Sequence, residues 1–153
     1  MSAPRWPDVF DGLLALLPTL PDTADVSVFD EAPPTGDASM NWVTVGYIAD
    51  DGAGDFAQDR DPSGFATNET GTVNCHVSFN VGEVAPGVTR ARAFGYVGKW
   101  QTAIEADQTL GGRLPPGSVV NLSAQVLNIE NAQGTATDLL VTVSYETTTF
   151  FNP

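Results

Sequence analysis

The chain has one histidine and one cysteine, and they are neighbours, Cys75 and His76. An imidazole beside a thiol is the minimum for nucleophilic catalysis or for chelating a soft metal. The local pattern argues against both uses. Val73, Cys75, Val77, Phe79 and Val81 alternate with Thr72, Asn74, His76, Ser78 and Asn80. That period of two predicts a strand over residues 72–81 with one buried and one wet face, and a place in an antiparallel sheet. Consecutive strand residues point to opposite sides, so the thiol and the imidazole cannot act on one atom. Cys75 is expected in the core, as a small apolar residue. No nucleophile elbow supplies a serine for His76. One cysteine also excludes an intrachain disulfide and a multi-cysteine zinc site.

Carboxylates are abundant, nineteen acidic residues against six basic ones. Paired carboxylates do acid–base chemistry only where burial tunes them, and most of these fall in predicted loops. One run has the order of a cation site. Asp59, Asp61 and Ser63 alternate and are followed by Gly64, as at the opening of a calcium loop. The bidentate Glu of such a loop belongs at the twelfth position, which is Thr70 here, and Glu69 falls one early. No flanking helices are predicted either. Neither a phosphate-cradling loop nor a dinucleotide fingerprint is present. The sequence therefore assigns no catalytic residue and no cofactor. Asp59, Asp61 and Ser63 remain the metal candidates.

The elements around these residues can be read from spacing. Val9, Phe10, Leu13, Leu14 and Leu17 recur at helical intervals, predicting a helix over residues 7–17. Pro7 suits its first turn, Asp8 and Asp11 suit its dipole, and Pro18 and Pro21 end it. A strand is expected over 24–31, with Val26 and Val28 on one side. A second is expected over 40–49, rich in β-branched and aromatic residues, with Pro33, Pro34 and Gly36 as punctuation between them. Residues 50–64, with five Asp, read as an exposed loop; an acidic exposed loop is expected at about 50–70. A second helix is predicted over 89–108, with Thr89 as N-cap and Ala93, Phe94, Val97, Trp100 and Ile104 as its packing stripe. Gly95 and Gly98 weaken it, and close packing on the sheet is the expected reason. Strands over 118–130 and 137–150 form a hairpin around the turn at 131–134. Leu127 and Ile129 break the phase of Val120, Leu122, Ala124 and Val126, which predicts a bulge. Trp42, Trp100 and Tyr145 are expected in the core. The order α-β-β-β-α-β-β predicts one α+β domain over residues 1–153, a mainly antiparallel sheet with two helices on one face.

Charge narrows the function further. The net charge is −13, and residues 1–83 hold −12 of it. Tight binding to nucleic acid or to an anionic membrane needs a basic surface, which this chain lacks overall. No apolar run approaches the roughly 18 residues that span a bilayer. The N-terminus shows no secretion signal. Four of the six cations cluster late in the chain, Arg90, Arg92, Lys99 and Arg113.

The stretch Asp107-Gln108-Thr109-Leu110-Gly111-Gly112 closes the second helix, and the closing strand runs Leu139 to Thr149 with a Thr-rich end. Together with the short N-terminal helix, this resembles the tail terminator (tail completion) proteins of long-tailed bacteriophages, siphoviruses among them. The resemblance covers residues 7–20 and 87–150. It implies a structural virion protein and no enzyme. It implies a homo-oligomer, a ring typically of six subunits, on the head-proximal end of the tail, assembled in the host cytoplasm. The ring stops tube polymerisation, meeting the tail-tube protein on one face and the head connector or neck on the other. DNA passes through its lumen without specific binding. Arg90, Arg92, Lys99 and Arg113 are candidates to meet a neighbour's acidic residues, such as Asp50, Asp51 and Asp55. They serve equally well as solvated surface charges. A head-closure, neck or tail-tube protein of the same phage class, and an acidic calcium-binding module, remain alternatives.

Overall fold

Two strands of equal length set the architecture. The computed structural model describes residues 3–30, 41–46, 52–62, 64–80, 86–129 and 136–150. Within these, β4 (Ala66–Asn80) and β6 (Ala136–Phe150) pair antiparallel along all fifteen residues. The other strands add to them. β5 (Val119–Ile129) lines the far side of β6. On the free side of β4, β2 (Asn41–Val45) covers its C-terminal part and β3 (Gly54–Arg60) its N-terminal part. β1 (Val26–Asp30) adds to β2 in parallel, and every other pairing is antiparallel. The six-stranded order is β1-β2-β4-β6-β5, with β3 beside β4. The fold is α+β, as the element pattern predicted.

The helices lie on one face of this sheet. α1 (Trp6–Leu16) runs into a 3₁₀ turn at Leu17–Thr19, where Pro18 stops it. It buries Val9 and Leu13, with Leu17 just beyond, while Phe10 and Leu14 are half-buried at its flank. α2 (Pro86–Ala106) buries Thr89, Ala93, Tyr96, Trp100 and Ile104, spaced three and four apart. These meet Val43, Val45, Val73, Cys75, Val77, Phe79, Leu139, Val141 and Val143 from the sheet. Each fully buried Val or Leu contributes about 1.5–3 kcal/mol, against about 0–1 kcal/mol for an exposed ion pair. Helix-on-sheet burial therefore outweighs surface ion pairs such as Arg92–Asp25.

Several expectations are corrected. The acidic stretch is not a loop, because residues 54–60 form β3, exposed almost throughout. Its partner β4 starts at Ala66, six residues before the predicted strand. Thr89 is not an N-cap, since the helix starts at Pro86; the Thr89 hydroxyl is buried with no partner among the described residues. Phe94 is 44% exposed, and Tyr96 takes its place in the packing stripe. Gly95 and Gly98 do not pack on the sheet, for a Cβ at either would touch nothing. Trp42 is only half-buried, on the face away from the helices, whereas Trp100 and Tyr145 are core. The predicted bulge is present between Val126 and Asn128. Residues 31, 33, 34, 36, 40, 47–51, 63, 81 and 130–134 lie outside the described residues, and the expectations for Asp50, Asp51, Ser63 and the turn at 131–134 lie there too.

One glycine ties α1 to β2. Gly46 has φ +79°, and a Cβ there would lie 2.3 Å from the Phe10 ring. Gly46→Ala combines a left-handed backbone penalty with a displaced aromatic ring, an expected loss of about 2–4 kcal/mol. The shift in urea midpoint at unchanged slope measures it.

Candidate functional site

Strand alternation sorts every side chain onto one of two faces. Val73, Cys75 and Val77 of β4 face the helices, and Thr72, Asn74, His76 and Ser78 face away. Register carries this across the sheet. The open face receives Asp55, Ala57 and Asp59 from β3, opposite Thr72, Thr70 and Asn68. From β6 it receives Asp138, Leu140, Thr142, Ser144 and Glu146, and from β5 Asn121, Ser123 and Gln125. Hydroxyl and amide groups dominate, joined by cross-strand hydrogen bonds such as Thr148 Oγ1 to Asn68 Oδ1 at 2.8 Å.

All six cations of the chain lie elsewhere. Arg5 precedes α1, Arg90, Arg92 and Lys99 lie on α2, and Arg113 follows α2. Arg60 of β3 stands opposite Thr67, on the helix-side register. Among the described residues, no Lys or Arg belongs to the open face. The sheet thus separates a helical layer that carries charges of both signs from a neutral-to-acidic wall. At its β3 end the open face holds a groove of about 410 Å³. Thr70, Thr72, Ser144 and Glu146 line its floor, with Asp55 and Ala57 on one side and Val119 and Asn121 on the other. Strands on either side of the β4–β6 pair line one groove, so the sheet is concave here.

The structure does not bring the predicted site residues together. Arg92 pairs with Asp25 of its own chain and lies 5.9 Å over the Phe79 ring. It is therefore engaged within the subunit, in a pair that stays partly exposed. This guanidinium holds the Asp25 carboxyl below its usual value, with a smaller opposing effect from burial. Arg90 is exposed on the first turns of α2, and Lys99 is half-exposed further along. Arg113 reaches back to the Leu110 carbonyl at 3.5 Å. Asp55 accepts a hydrogen bond from the Thr72 hydroxyl at 2.8 Å. Asp59 stands on β3 opposite Asn68, and Asp61 begins a turn in which its amide donates to the Ala66 carbonyl at 2.9 Å. Asp59 thus belongs to the end of β3, and β4 begins five residues after Asp61. No group of three or more His, Cys, Asp or Glu side chains among the described residues is placed to hold a metal.

His76 lies edge-on to Trp42, with ring centroids 4.8 Å apart, and its Nε2 is 3.1 Å from Asp138 Oδ1. Cys75 points the other way and is fully buried, which pushes its thiol up to about 12. The one thiol is withheld from the one imidazole.

Two polar centres organise the fold on the helix side of the sheet. The first is Glu69, which is 2% exposed. Its carboxylate accepts the Arg5 backbone N–H at 2.9 Å through both oxygens, the Gln58 side-chain amide at 2.9 Å and the Tyr145 hydroxyl at 2.5 Å. These donors occupy both oxygens, so the group is a structural anchor. Burial and the adjacent carboxylate push the Tyr145 hydroxyl well above the ordinary tyrosine range. Alternation carried back from Val73 through residue 71 places Glu69 on the buried face; the polar run Asn68-Glu69-Thr70-Gly71 hid that signal. The second centre is the Asp107–Gly112 turn. Asp107 accepts the Thr109 amide and hydroxyl through Oδ1 and the Gly111 amide through Oδ2. These bonds hold its carboxyl below the usual range. Leu110 takes φ +51° and buries its side chain against Gly12, where a Cβ would lie 2.9 Å away. Gln108 caps the Ile104 carbonyl and accepts the Val120 amide, linking the end of α2 to β5. No protein-family model and no curated protein sequence matches this chain.

Removing the Glu69 carboxylate leaves three donors unmatched, each costing on the order of 1–3 kcal/mol where it stays buried. Glu69→Ala is expected to lose on the order of 3 kcal/mol or more, and Tyr145→Phe about 1–2 kcal/mol, by equilibrium urea unfolding. A second expectation concerns acid. Asp25 and Asp107 both have folded pKa values below the ordinary 3.8. Their contribution is complete above that value and is lost as pH falls through the lower folded values. Asp107→Asn should lower stability at neutral pH and flatten its fall below pH 3.8, so that variant and parent converge in acid, read from unfolding curves across the acid range.

Proposed function

We propose that this protein is a structural ring component of a long-tailed phage, the tail terminator that closes the head-proximal end of the tail tube. The observation that carries the reading is the lack of any Lys or Arg on the open face among the described residues. A lumen that passes DNA without holding it needs a wall free of cations, because each Lys or Arg on a phosphate displaces counterions and adds affinity. The open face meets that condition with hydroxyl, amide and acidic groups, and it is concave where its groove lies. In this reading the open face lines the lumen and the helical layer faces outward. The turn at residues 107–112, which prompted the resemblance, serves the fold by returning the chain from α2 into β5. Its likeness to the terminator family is a likeness of construction.

The imidazole and thiol are on opposite faces, and the buried carboxylate is saturated. Head-connector and tube contacts would then belong to the two rims of the ring.

Purified protein is expected to form closed rings with a central hole in negative stain, and to cap isolated tail tubes at one end. It should not retain duplex DNA at physiological salt, whereas Thr142→Lys with Ser144→Lys should create retention. Long tubes formed by the protein alone would identify a tube subunit instead. A monomer at high concentration, with or without tails, would overturn the proposal.

A further inference from the structure

We infer that β5 is the strand by which one copy of this chain joins the next, pairing antiparallel with β3 of the neighbouring copy. The inference rests on the ring reading and names its contact. β5 has one strand neighbour, β6, and its other edge carries no paired strand among the described residues. It is eleven residues long, VVNLSAQVLNI, without a charge or a proline. Edges that must stay unpaired are shortened or carry Lys or Pro. β5 has only the bulge near its end, and it exposes Val119, Val126 and Leu127 by 45%, 45% and 43%. In a chain of net charge −13, this uncharged strand adds no repulsion of its own to an approaching copy.

The opposite margin of the sheet supplies the complement. Among the described residues β3 pairs only with β4, and it is exposed along nearly its whole length. β1, the other strand on that side, is mostly half-buried. Direction agrees as well. β5 runs antiparallel to β6, and β6 antiparallel to β4, so β5 and β4 share a direction. β3 opposes β4 and therefore opposes β5. Rotation about an axis along the strands preserves these directions, so a neighbour's β3 reaches β5 already antiparallel. Such strand addition is made through main-chain hydrogen bonds between the two edge strands. β3–β3 pairing would bring Asp55 and Asp59 of two copies together, which is unfavourable. β5–β5 pairing would close a two-fold dimer and leave both β3 edges open, whereas β5–β3 contact is head-to-tail and can close a ring.

Cysteine crosslinking of the full chain tests this, since buried Cys75 stays out of the reaction. Asn121→Cys is combined in turn with Asp55→Cys, Ala57→Cys and Asp59→Cys, all on the open face, to sample register. Mild oxidation is expected to give a ladder of covalent oligomers from one of the double variants and none from the single ones. Val126→Lys with Leu127→Lys should abolish the ladder and the rings while the circular dichroism spectrum is kept. Covalent dimers from Asn121→Cys alone would show two-fold β5 pairing and overturn the inference. Rings in negative stain with no crosslink from any pair would overturn the contact and leave the ring. Absence of any oligomer would remove both.

Discussion

A buried carboxylate that accepts three partners holds this structure at its most demanding point. Glu69 sits in β4, and its donors come from the start of α1, from β3 and from β6. An ionised group in a dry interior is tolerated only when such partners are present. Here they also fix geometry. The Arg5 amide is one of the donors that a helix start leaves unmatched, and the helix dipole favours a negative charge there. The same contact that stabilises the charge therefore sets where α1 begins and how it lies on the sheet. Nearby, Tyr145 covers Gly71, where a Cβ would meet its hydroxyl at 2.6 Å. A side chain at that position would displace the hydroxyl from the carboxylate.

From that anchored frame the two-faced character follows by simple periodicity. A sheet with helices on one side must fill that side with apolar groups and can leave the other polar. This chain goes further, because its few cations all travel with the helical layer and β3's one arginine points the same way. The result is a wall whose electrostatic sign is set by strand register. A slip of one residue in β3 would exchange its acidic and basic sides.

Much of the fold was legible in the sequence, for identifiable reasons. Strong alternation marked the second half of β4 and all of β6, and helical spacing marked α1. The phase break at Leu127 announced the bulge. What escaped was polar. The first half of β4 reads Ala-Thr-Asn-Glu-Thr-Gly, with only Ala66 apolar and no alternation to show its pleat, because its buried face holds a hydrogen-bonded carboxylate. β3 escaped for a related reason. It is an exposed edge strand, so its Asp residues meet water and leave no burial pattern to read. The outward glycines of α2 misled for the opposite reason, since composition alone cannot say which way a glycine faces. The site was less legible still. Single cations could be counted, but their common side emerges only once all the registers are known.

The longest pairing in the molecule has a kinetic meaning. Ala66 sits opposite Phe150, and the helix α2 and strand β5 lie between them along the chain. Closing so wide a loop costs entropy before the ladder returns any stabilisation, a topology that folds slowly. Until β6 is in place, β4 and β5 have no common neighbour. Each then presents bare backbone to solvent, the condition in which partly folded chains stick to one another. Maturation of this domain is therefore a race between its own central seam and strangers at the same open strands.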